Sequence, residues 1–224
     1  DTFLVSEKAW KEREGSSMFV EVDKEIRVED LLRGIIVQSG NDACIVVAEN
    51  ISGSEKTFSI LMNEMASDIG LENTNFANAT GMHNVKNYST VSDIAKMSQY
   101  LINKYPKFYH LFNETEFEWS GISQKNRNPL LYKDIGADGL KTGYLSISGY
   151  GLAASAKNDN RRLIVVGHGF TSPQKRSQGT ARLLNWGFRE YTNIKLYSKS
   201  SDVGFLPLTM ASEDKVSLTT DKDI

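Results

Sequence analysis

Two short motifs in this chain combine residue types that can move protons and bind carboxylates. The first is Ser39-Gly40-Asn41, and the second is Lys141-Thr142-Gly143. A serine hydroxyl can accept a proton on one side and donate one on the other. A lysine ammonium attracts a carboxylate, and a glycine lets the backbone approach a ligand closely. The two motifs are therefore candidates for two parts of one active site.

Each motif taken alone also has a simple structural explanation. Gly40 could end one helix and Asp42 could cap the next. The Lys-Thr-Gly triplet could be an ordinary strand with an outward Lys141 and a bulge at Gly143. The combination favours function, because a Ser-x-Asn between two helices that is followed, much later, by Lys-Thr-Gly on a strand leading into a hairpin resembles the arrangement in penicillin-recognising enzymes. This reading requires the Ser39 hydroxyl and the Lys141 ammonium to face each other across one cleft.

The elements that must position these motifs are helical in the first half of the chain. Apolar spacing and capping residues predict helices over residues 28–37, residues 43–50, a segment from Ser54 to Gly70, and a segment from Thr90 to Lys104. Thr90 with Asp93 is typical of a capping box. Pro106 is predicted to start a short helix that ends near Phe112. Residues 72–88 are predicted to form a long irregular connection.

The second half of the chain alternates like a sheet. Strands are predicted over residues 115–120, 137–144, 149–156 and 162–166. Residues 157–160 are typical of a hairpin turn between the last two strands. Ser172 and Pro173 are predicted to begin a final helix. The order predicts an α+β fold, in the broad α/β class, with a helical lobe packed on an antiparallel sheet. Residues 1–191 are predicted to form the main domain, and residues 192–224 the beginning of a β-rich domain.

Composition and charge exclude several function classes. The net charge of -2 argues against nucleic-acid binding, which needs a basic surface. Cys44 is the single cysteine, so no internal disulfide and no cysteine-rich metal site are expected. No metal or cofactor motif is present, and no apolar stretch is long enough to span a bilayer. The start at Asp1 has no initiator methionine and no signal-peptide pattern, which is interpreted as cleavage or truncation.

Several segments resemble one family closely. SGNDACIVVAEN, NRNPLL, DGLKTGYLSISGYGLAASA and DKVSLTTDKDI are similar to the low-molecular-mass penicillin-binding proteins, which are serine D-alanyl-D-alanine carboxypeptidases. The resemblance runs from about residue 15 to the end. It implies a penicillin-recognising, β-lactamase-like fold and an enzyme that removes the terminal D-alanine from peptidoglycan stem peptides through an acyl-enzyme. β-Lactams would bind the same site. The resemblance also implies a periplasmic location, with membrane attachment only through segments outside this chain.

The family's third motif, Ser-x-x-Lys, carries the nucleophile and should precede Ser-x-Asn. The chain has two matches, Ser172 to Lys175 and Ser212 to Lys215, and both follow Lys-Thr-Gly. Neither is expected to be the nucleophile. The chain is therefore expected to be truncated at its start and at its end, and to be inactive by itself.

The resemblance also implies a role for each matching residue. The three catalytic residues are Ser39 as proton relay, Asn41 as a partner of the absent lysine and of the substrate amide, and Lys141 as a charge near the substrate carboxylate. The substrate-binding residues are Thr142, Gly143, Tyr144 through its backbone N–H in the oxyanion hole, Arg127 and Arg176. For each arginine, a purely structural role in tying down a loop is equally consistent with the sequence.

Two other functions fit the same motifs. A class A β-lactamase needs a glutamate in a Glu-x-x-Leu-Asn loop, and the corresponding segment here, Glu72 to Phe76, does not match it. A non-catalytic module that binds peptidoglycan or a protein partner through a relic cleft is the second alternative. The presence or absence of a Ser-x-x-Lys motif upstream would discriminate it from the enzyme.

Overall fold

The computed structural model describes residues 1–12 and 14–224. Its internal contacts divide the chain into two units, Asp1–Phe188 and Arg189–Ile224. Both candidate motifs lie in the first unit.

Helices dominate the first half of the chain, and one more long helix follows the largest sheet. They are α1 (Glu7–Lys11), α2 (Val28–Ile36), α3 (Asn41–Ser52), α4 (Glu55–Ile69), α5 (Val91–Lys104) and α6 (Pro173–Glu190), with 3-10 helices at Tyr109–Asn113 and Pro129–Tyr132. The predicted helices that correspond to α2 to α6 are confirmed. The short helix α1 was not predicted, because a helix of 5 residues is too short to show a period.

Side-chain caps explain where several helices begin. The Ser54 hydroxyl accepts a hydrogen bond from the Thr57 N–H at 3.1 Å, and the Ser172 hydroxyl accepts one from the Lys175 N–H at 3.1 Å. Helix α4 ends at Gly70, whose φ of 81° lies in the left-handed region that glycine tolerates. These three predicted helix ends are confirmed.

The predicted capping box at α5 is half right. The Thr90 hydroxyl accepts a hydrogen bond from the Asp93 N–H at 3.1 Å, as expected. The Asp93 carboxylate does not reach back to Thr90. It accepts from the Asn73 N–H at 2.8 Å and from the Thr74 hydroxyl at 2.7 Å, so it holds the irregular connection instead.

The predicted start of a helix at Pro106 is wrong. Residues 106–108 form a turn, and the 3-10 helix begins at Tyr109. The Phe108 N–H donates a hydrogen bond to the Tyr105 carbonyl, which closes a turn before the 3-10 helix begins.

The largest sheet has three antiparallel strands. They are β5 (Ala137–Leu145), β6 (Gly149–Asn158) and β7 (Arg161–Phe170), in the order β5-β6-β7. The predicted hairpin is confirmed, with longer strands than expected, since Asn158 pairs with Arg161. Two smaller sheets have two strands each. One consists of β1 (Thr2–Leu4) and β2 (Glu25–Arg27), and the other of β3 (Glu116–Trp119) and β4 (Ile122–Lys125).

The two larger buried clusters lie in the first unit. One joins the helices and includes Val5, Met18, Ile26, Leu31, Ala43 and Val46; the other joins the sheet to α6 and includes Leu130, Leu152, Ala154, Ala156 and Leu184. The predicted α+β class is confirmed. The Ser-x-Asn motif belongs to the helical side and Lys-Thr-Gly to the sheet.

The second unit contains the antiparallel pair β8 (Asp202–Pro207) and β9 (Lys215–Thr219). Most of its apolar side chains are exposed, including Phe205, Leu206 and Val216. Its buried Thr220 donates a hydrogen bond to the Ser198 carbonyl at 2.6 Å.

Candidate active site

Ser39 and Lys141 come together in the structure. The Lys141 ammonium donates a hydrogen bond to the Ser39 hydroxyl oxygen at 2.8 Å and another to the Thr142 carbonyl at 3.1 Å. Ser39 lies between α2 and α3 with a φ of 59°, an uncommon left-handed conformation for a residue with a side chain. The expectation that the Ser39 hydroxyl and the Lys141 ammonium face each other is confirmed.

The environment of Lys141 makes its ammonium easier to deprotonate. Burial, together with the nearby Arg127 and Arg176 and against an opposing effect of Cys44, lowers the pKa of this ammonium to about 8. A lysine with such a pKa can release and recover a proton near neutral pH, which an ordinary lysine does poorly.

Strand β5 presents the second motif at the outer edge of the sheet. Lys141 pairs with Ala153, Thr142 with Leu152, and Gly143 with Gly151. A Cβ built on Gly143 would meet no atom within 4 Å. The protein's own packing therefore does not require glycine there, and the space beside the strand is open to a ligand.

Asn41 is held by an irregular segment that precedes β2. Its backbone N–H donates to the Ser16 carbonyl at 2.8 Å, and its side-chain amide donates to the Glu14 carbonyl at 2.8 Å. Gly15 lies between these two residues with a φ of 78°, and a Cβ there would lie 2.8 Å from the Asn41 amide nitrogen. The contacts orient Asn41 toward this segment.

Asp42 organises the same segment. Its carboxylate is 1% exposed and accepts hydrogen bonds from one hydroxyl and four backbone N–H groups. The donors are the Ser17 hydroxyl at 2.7 Å and the N–H groups of Met18 at 2.8 Å, Phe19 at 2.8 Å, Val20 at 3.1 Å and Ala43 at 2.9 Å.

The alternative structural prediction, in which Gly40 ends one helix and Asp42 caps the next, is therefore wrong. Helix α2 already ends at Ile36, and Gly40 is the N-cap residue of α3. Asp42 lies inside the first turn of α3. Most of its partners come from a segment more than twenty residues earlier, so no local pattern in the sequence could reveal its role.

Arg127 lies beside the same segment. Its guanidinium donates a hydrogen bond to the Ser16 hydroxyl, and burial lowers its pKa. The neighbouring Gln124 amide donates to the Ser17 carbonyl at 3.0 Å. Arg127 thus joins the loop that follows β4 to the segment that holds Asn41, and its charge acts on Lys141.

Arg176 approaches from the first turn of α6. It is 9% exposed, and its Nε is buried without a hydrogen-bond partner in the described part of the chain. Its guanidinium lies 5.7 Å from the ring centroid of Tyr150, on which Tyr144 stacks at 4.3 Å between centroids. Burial lowers the pKa of Arg176. Three cations, Lys141, Arg127 and Arg176, therefore converge where an anion would be stabilised.

Neither Ser-x-x-Lys match has the environment of a nucleophile. Ser172 caps α6 through its hydroxyl. Ser212 is exposed and belongs to the second unit. Cys44 is not an alternative nucleophile, because burial raises the pKa of its thiol to about 12 and keeps it protonated.

Two features are absent from residues 1–12 and 14–224. No group of three or more His, Cys, Asp or Glu side chains is arranged to hold a metal ion. No helix in these residues is both long and apolar enough to cross a membrane.

Comparison with known proteins places these features in a family. The family model described as D-alanyl-D-alanine carboxypeptidase, Peptidase S11, matches residues 1–171. The chain is 36% identical over 229 residues to the D-alanyl-D-alanine carboxypeptidase DacD of Escherichia coli, covering 100% of this chain and 59% of that protein. It is 37% identical over 212 residues to DacA of the same organism, covering 94% of this chain and 53% of that protein. The chain therefore spans a little over half the length of these relatives.

Solved structures show the same likeness. Penicillin-binding protein 5 of Haemophilus influenzae superposes with a TM-score of 0.94 at 35% identity, covering 100% of this chain and 66% of that chain. Penicillin-binding protein 6B of Escherichia coli superposes with a TM-score of 0.84 at 34% identity, covering 98% of this chain and 68% of that chain.

Proposed function

Because the chain belongs to the D-alanyl-D-alanine carboxypeptidase family, we propose that it supplies most of the active site of a serine enzyme that removes the terminal D-alanine from peptidoglycan stem peptides. The observation that carries this proposal is the 2.8 Å hydrogen bond between the Lys141 ammonium and the Ser39 hydroxyl. The same site is proposed to be acylated by β-lactams. In this family, acyl transfer passes through a covalent intermediate that water hydrolyses.

Ser39 is proposed to relay a proton to the leaving amine. Lys141 donates to the Ser39 oxygen, which leaves the Ser39 O–H free to donate to the nitrogen of the departing D-alanine. When that proton transfers, Lys141 can replace it, since burial has lowered the pKa of its ammonium to about 8. The hydrogen bond thus forms a two-step proton path with no net change at Ser39.

The substrate's terminal carboxylate is proposed to bind among Lys141, Thr142 and the guanidinium groups of Arg127 and Arg176. Arg176 supports this role with a partly desolvated charge and a buried Nε that lacks a partner in the described residues. Arg127 supports it through its position near Lys141. Charge-assisted hydrogen bonds to a carboxylate are stronger than neutral ones.

The tetrahedral intermediate needs N–H donors, and the backbone N–H of Tyr144 is proposed as one of them. Strand β5 is an outer strand of its three-stranded sheet, so it has one side without a neighbour in that sheet. Open space at Gly143 lets a substrate lie along this side. Asn41 is proposed to hold the substrate amide and the lysine of the nucleophile motif.

We also propose that these 224 residues by themselves form no acyl-enzyme. Of the two Ser-x-x-Lys matches, one serine serves as a helix cap and the other belongs to the second unit. The corresponding domain proposal assigns residues 1–191 to the carboxypeptidase domain and residues 192–224 to the start of a β-rich domain. The protein is proposed to work in the periplasm, with inner-membrane association through segments outside the chain.

Fluorescent penicillin tests the proposal directly. We expect no covalent labelling of the chain alone, and strong labelling of a protein that carries it together with a Ser-x-x-Lys segment. In that protein, Lys141→Ala should reduce the labelling rate at least about 100-fold, because it removes a charge and a proton donor from the site. Lys133→Ala, which changes an exposed lysine, is the matched control.

Three results would contradict the proposal. Labelling of the chain alone would place the nucleophile within it. Unchanged labelling in Lys141→Ala would remove this lysine from the site. Rapid turnover of a chromogenic β-lactam would favour a β-lactamase, although the exposed Glu72 lies in a segment that differs from the lactamase pattern.

A further inference from the structure

A cluster of four polar side chains lies beside the motif strand, outside the residues used in the proposed mechanism. The Tyr109 hydroxyl donates to the Asp138 carboxylate at 3.0 Å, and Arg162 donates to both oxygens of that carboxylate at 2.7 Å. Arg162 also donates to the Ser155 hydroxyl at 2.5 Å. The four residues come from the first 3-10 helix, β5, β6 and β7, so the cluster ties all three strands and a helix together.

Asp138 occupies the irregular point of β5. The pairing with β6 shifts by one residue between Ala137 and Gly139, which makes Asp138 the extra residue of a bulge. Because side chains alternate between the two faces of a strand, a shift of one residue moves every later side chain to the opposite face. Lys141 follows three residues after Asp138. Without the bulge, Lys141 would point away from Ser39.

Tyr109 fits closely against the bulge. It is 9% exposed, and its ring stacks on Phe112 with 5.6 Å between centroids. A Cβ on Gly139 would lie 2.6 Å from the Tyr109 hydroxyl oxygen, so only glycine allows this approach. Burial raises the pKa of Tyr109, which keeps the hydroxyl protonated as a donor to Asp138.

Arg162 completes the cluster from the far strand. Its guanidinium lies 5.1 Å from the Tyr109 ring centroid while it pairs with Asp138. The hydrogen bonds to Asp138 raise the pKa of Arg162, so the ion pair persists across the pH range in which Lys141 titrates. The carboxylate is thus held from two directions, by a helix and by a strand two positions away in the sheet.

We propose that Tyr109, Asp138, Ser155 and Arg162 are positioning residues that hold the β5 bulge and keep the Lys141 ammonium on the face of the sheet where Ser39 lies. None of them touches the reacting atoms. Their importance for catalysis rests on the proposed function of Lys141, but the positioning itself is a structural statement that does not need enzyme activity to be tested.

Titration of Lys141 by NMR tests this positioning. Lysine labelled with ¹³C at Cε reports the protonation of each ammonium, and the missing resonance of Lys141→Arg assigns Lys141. The unsubstituted chain should titrate Lys141 near pH 8, where burial and Arg127 hold its pKa. In Asp138→Asn, we expect the midpoint to rise by at least about one pH unit, because a misplaced ammonium becomes hydrated and leaves Arg127. Tyr109→Phe should raise it by less, since it removes one hydrogen bond and keeps the ring.

The matched control is Glu114→Gln. It disrupts the Arg33–Glu114 ion pair, whose partners are as exposed as those of Asp138–Arg162 but which joins α2 to the end of the first 3-10 helix and includes no residue of β5. This control should lower the melting temperature without moving the Lys141 midpoint. The proposal is overturned if Asp138→Asn and Tyr109→Phe leave the midpoint unchanged; if Asp138→Asn does not fold, Tyr109→Phe alone decides. Because the NMR titration needs no penicillin, its result can be distinguished from the result of penicillin labelling in the Lys141→Ala variant.

Discussion

The two sides of the candidate site are each organised by an aspartate, but the two carboxylates have different partners. Asp42, on the Ser39 side, accepts four of its five hydrogen bonds from backbone N–H groups. Asp138, on the Lys141 side, accepts from the side chains of Tyr109 and Arg162. A carboxylate that binds backbone groups shapes the chain itself, whereas one that binds side chains adjusts a chain already paired in a sheet. Substitution of Asp42 should therefore change mainly the stability of the fold. Substitution of Asp138 should change mainly the position and pKa of Lys141.

The largest expected effect is on the Ser39 side. Asp42→Ala leaves the N–H groups of the buried residues Met18 and Val20 without their acceptor. We expect the free energy of unfolding to fall by about 3 kcal/mol or more, because each unpaired buried donor costs roughly 1–3 kcal/mol. Urea denaturation measures it, with Asp134→Ala as the exposed control. A loss below about 1 kcal/mol would mean that Asp42 does not organise this segment.

The next effect concerns the Lys141 side and depends on pH. Folding lowers the pKa of Lys141 from 10.5 to about 8, so between these values the unfolded chain binds more protons than the folded one. The contribution of Lys141 to stability therefore rises as pH increases through this window, by about 2–3 kcal/mol between pH 7 and pH 10. Lys141→Met should lack this rise.

The comparison of these two proteins at each pH cancels the groups that both contain. Urea denaturation at several pH values gives the difference in unfolding free energy. A difference that stays constant from pH 7 to pH 10 would show that the ammonium keeps an ordinary pKa in the folded chain.

The smallest expected effect tests the contact between Gly15 and Asn41. Gly15→Ala places a side chain at positive φ and against the Asn41 amide. Gly53 has nearly the same φ, and a Cβ there would meet nothing within 4 Å, so Gly53→Ala is the control. The left-handed conformation costs roughly 1–2 kcal/mol in both. We expect Gly15→Ala to lose about 1 kcal/mol more than Gly53→Ala, as measured by thermal unfolding, since Asn41 must move. Equal losses would show that Gly15 does not constrain Asn41.

Local patterns allowed much of the fold to be predicted. The helix predicted over residues 28–37 is Val28–Ile36, and the hairpin strands lie where alternation placed them. Ser54 and Ser172 cap their helices because a hydroxyl reaches an N–H three residues later, a contact that depends only on neighbours in the chain.

Other features could not be predicted because their partners are distant in sequence. Asp42 looks like a helix cap until the segment around Met18 folds against it. Asp93 looks like half of a capping box until the connection at Thr74 takes its carboxylate. The bulge at Asp138 has no signature in the order of residues, since it depends on how β5 aligns with β6.

The sequence by itself determined the two motifs, the residue types they contain and the helices and strands that carry them, because these depend on short-range spacing. Only the tertiary structure decided that the Lys141 ammonium lies 2.8 Å from the Ser39 hydroxyl, and that burial with two nearby arginines lowers its pKa. The physical reason is that both results depend on strand register, packing and the exclusion of water, which arise between segments about a hundred residues apart.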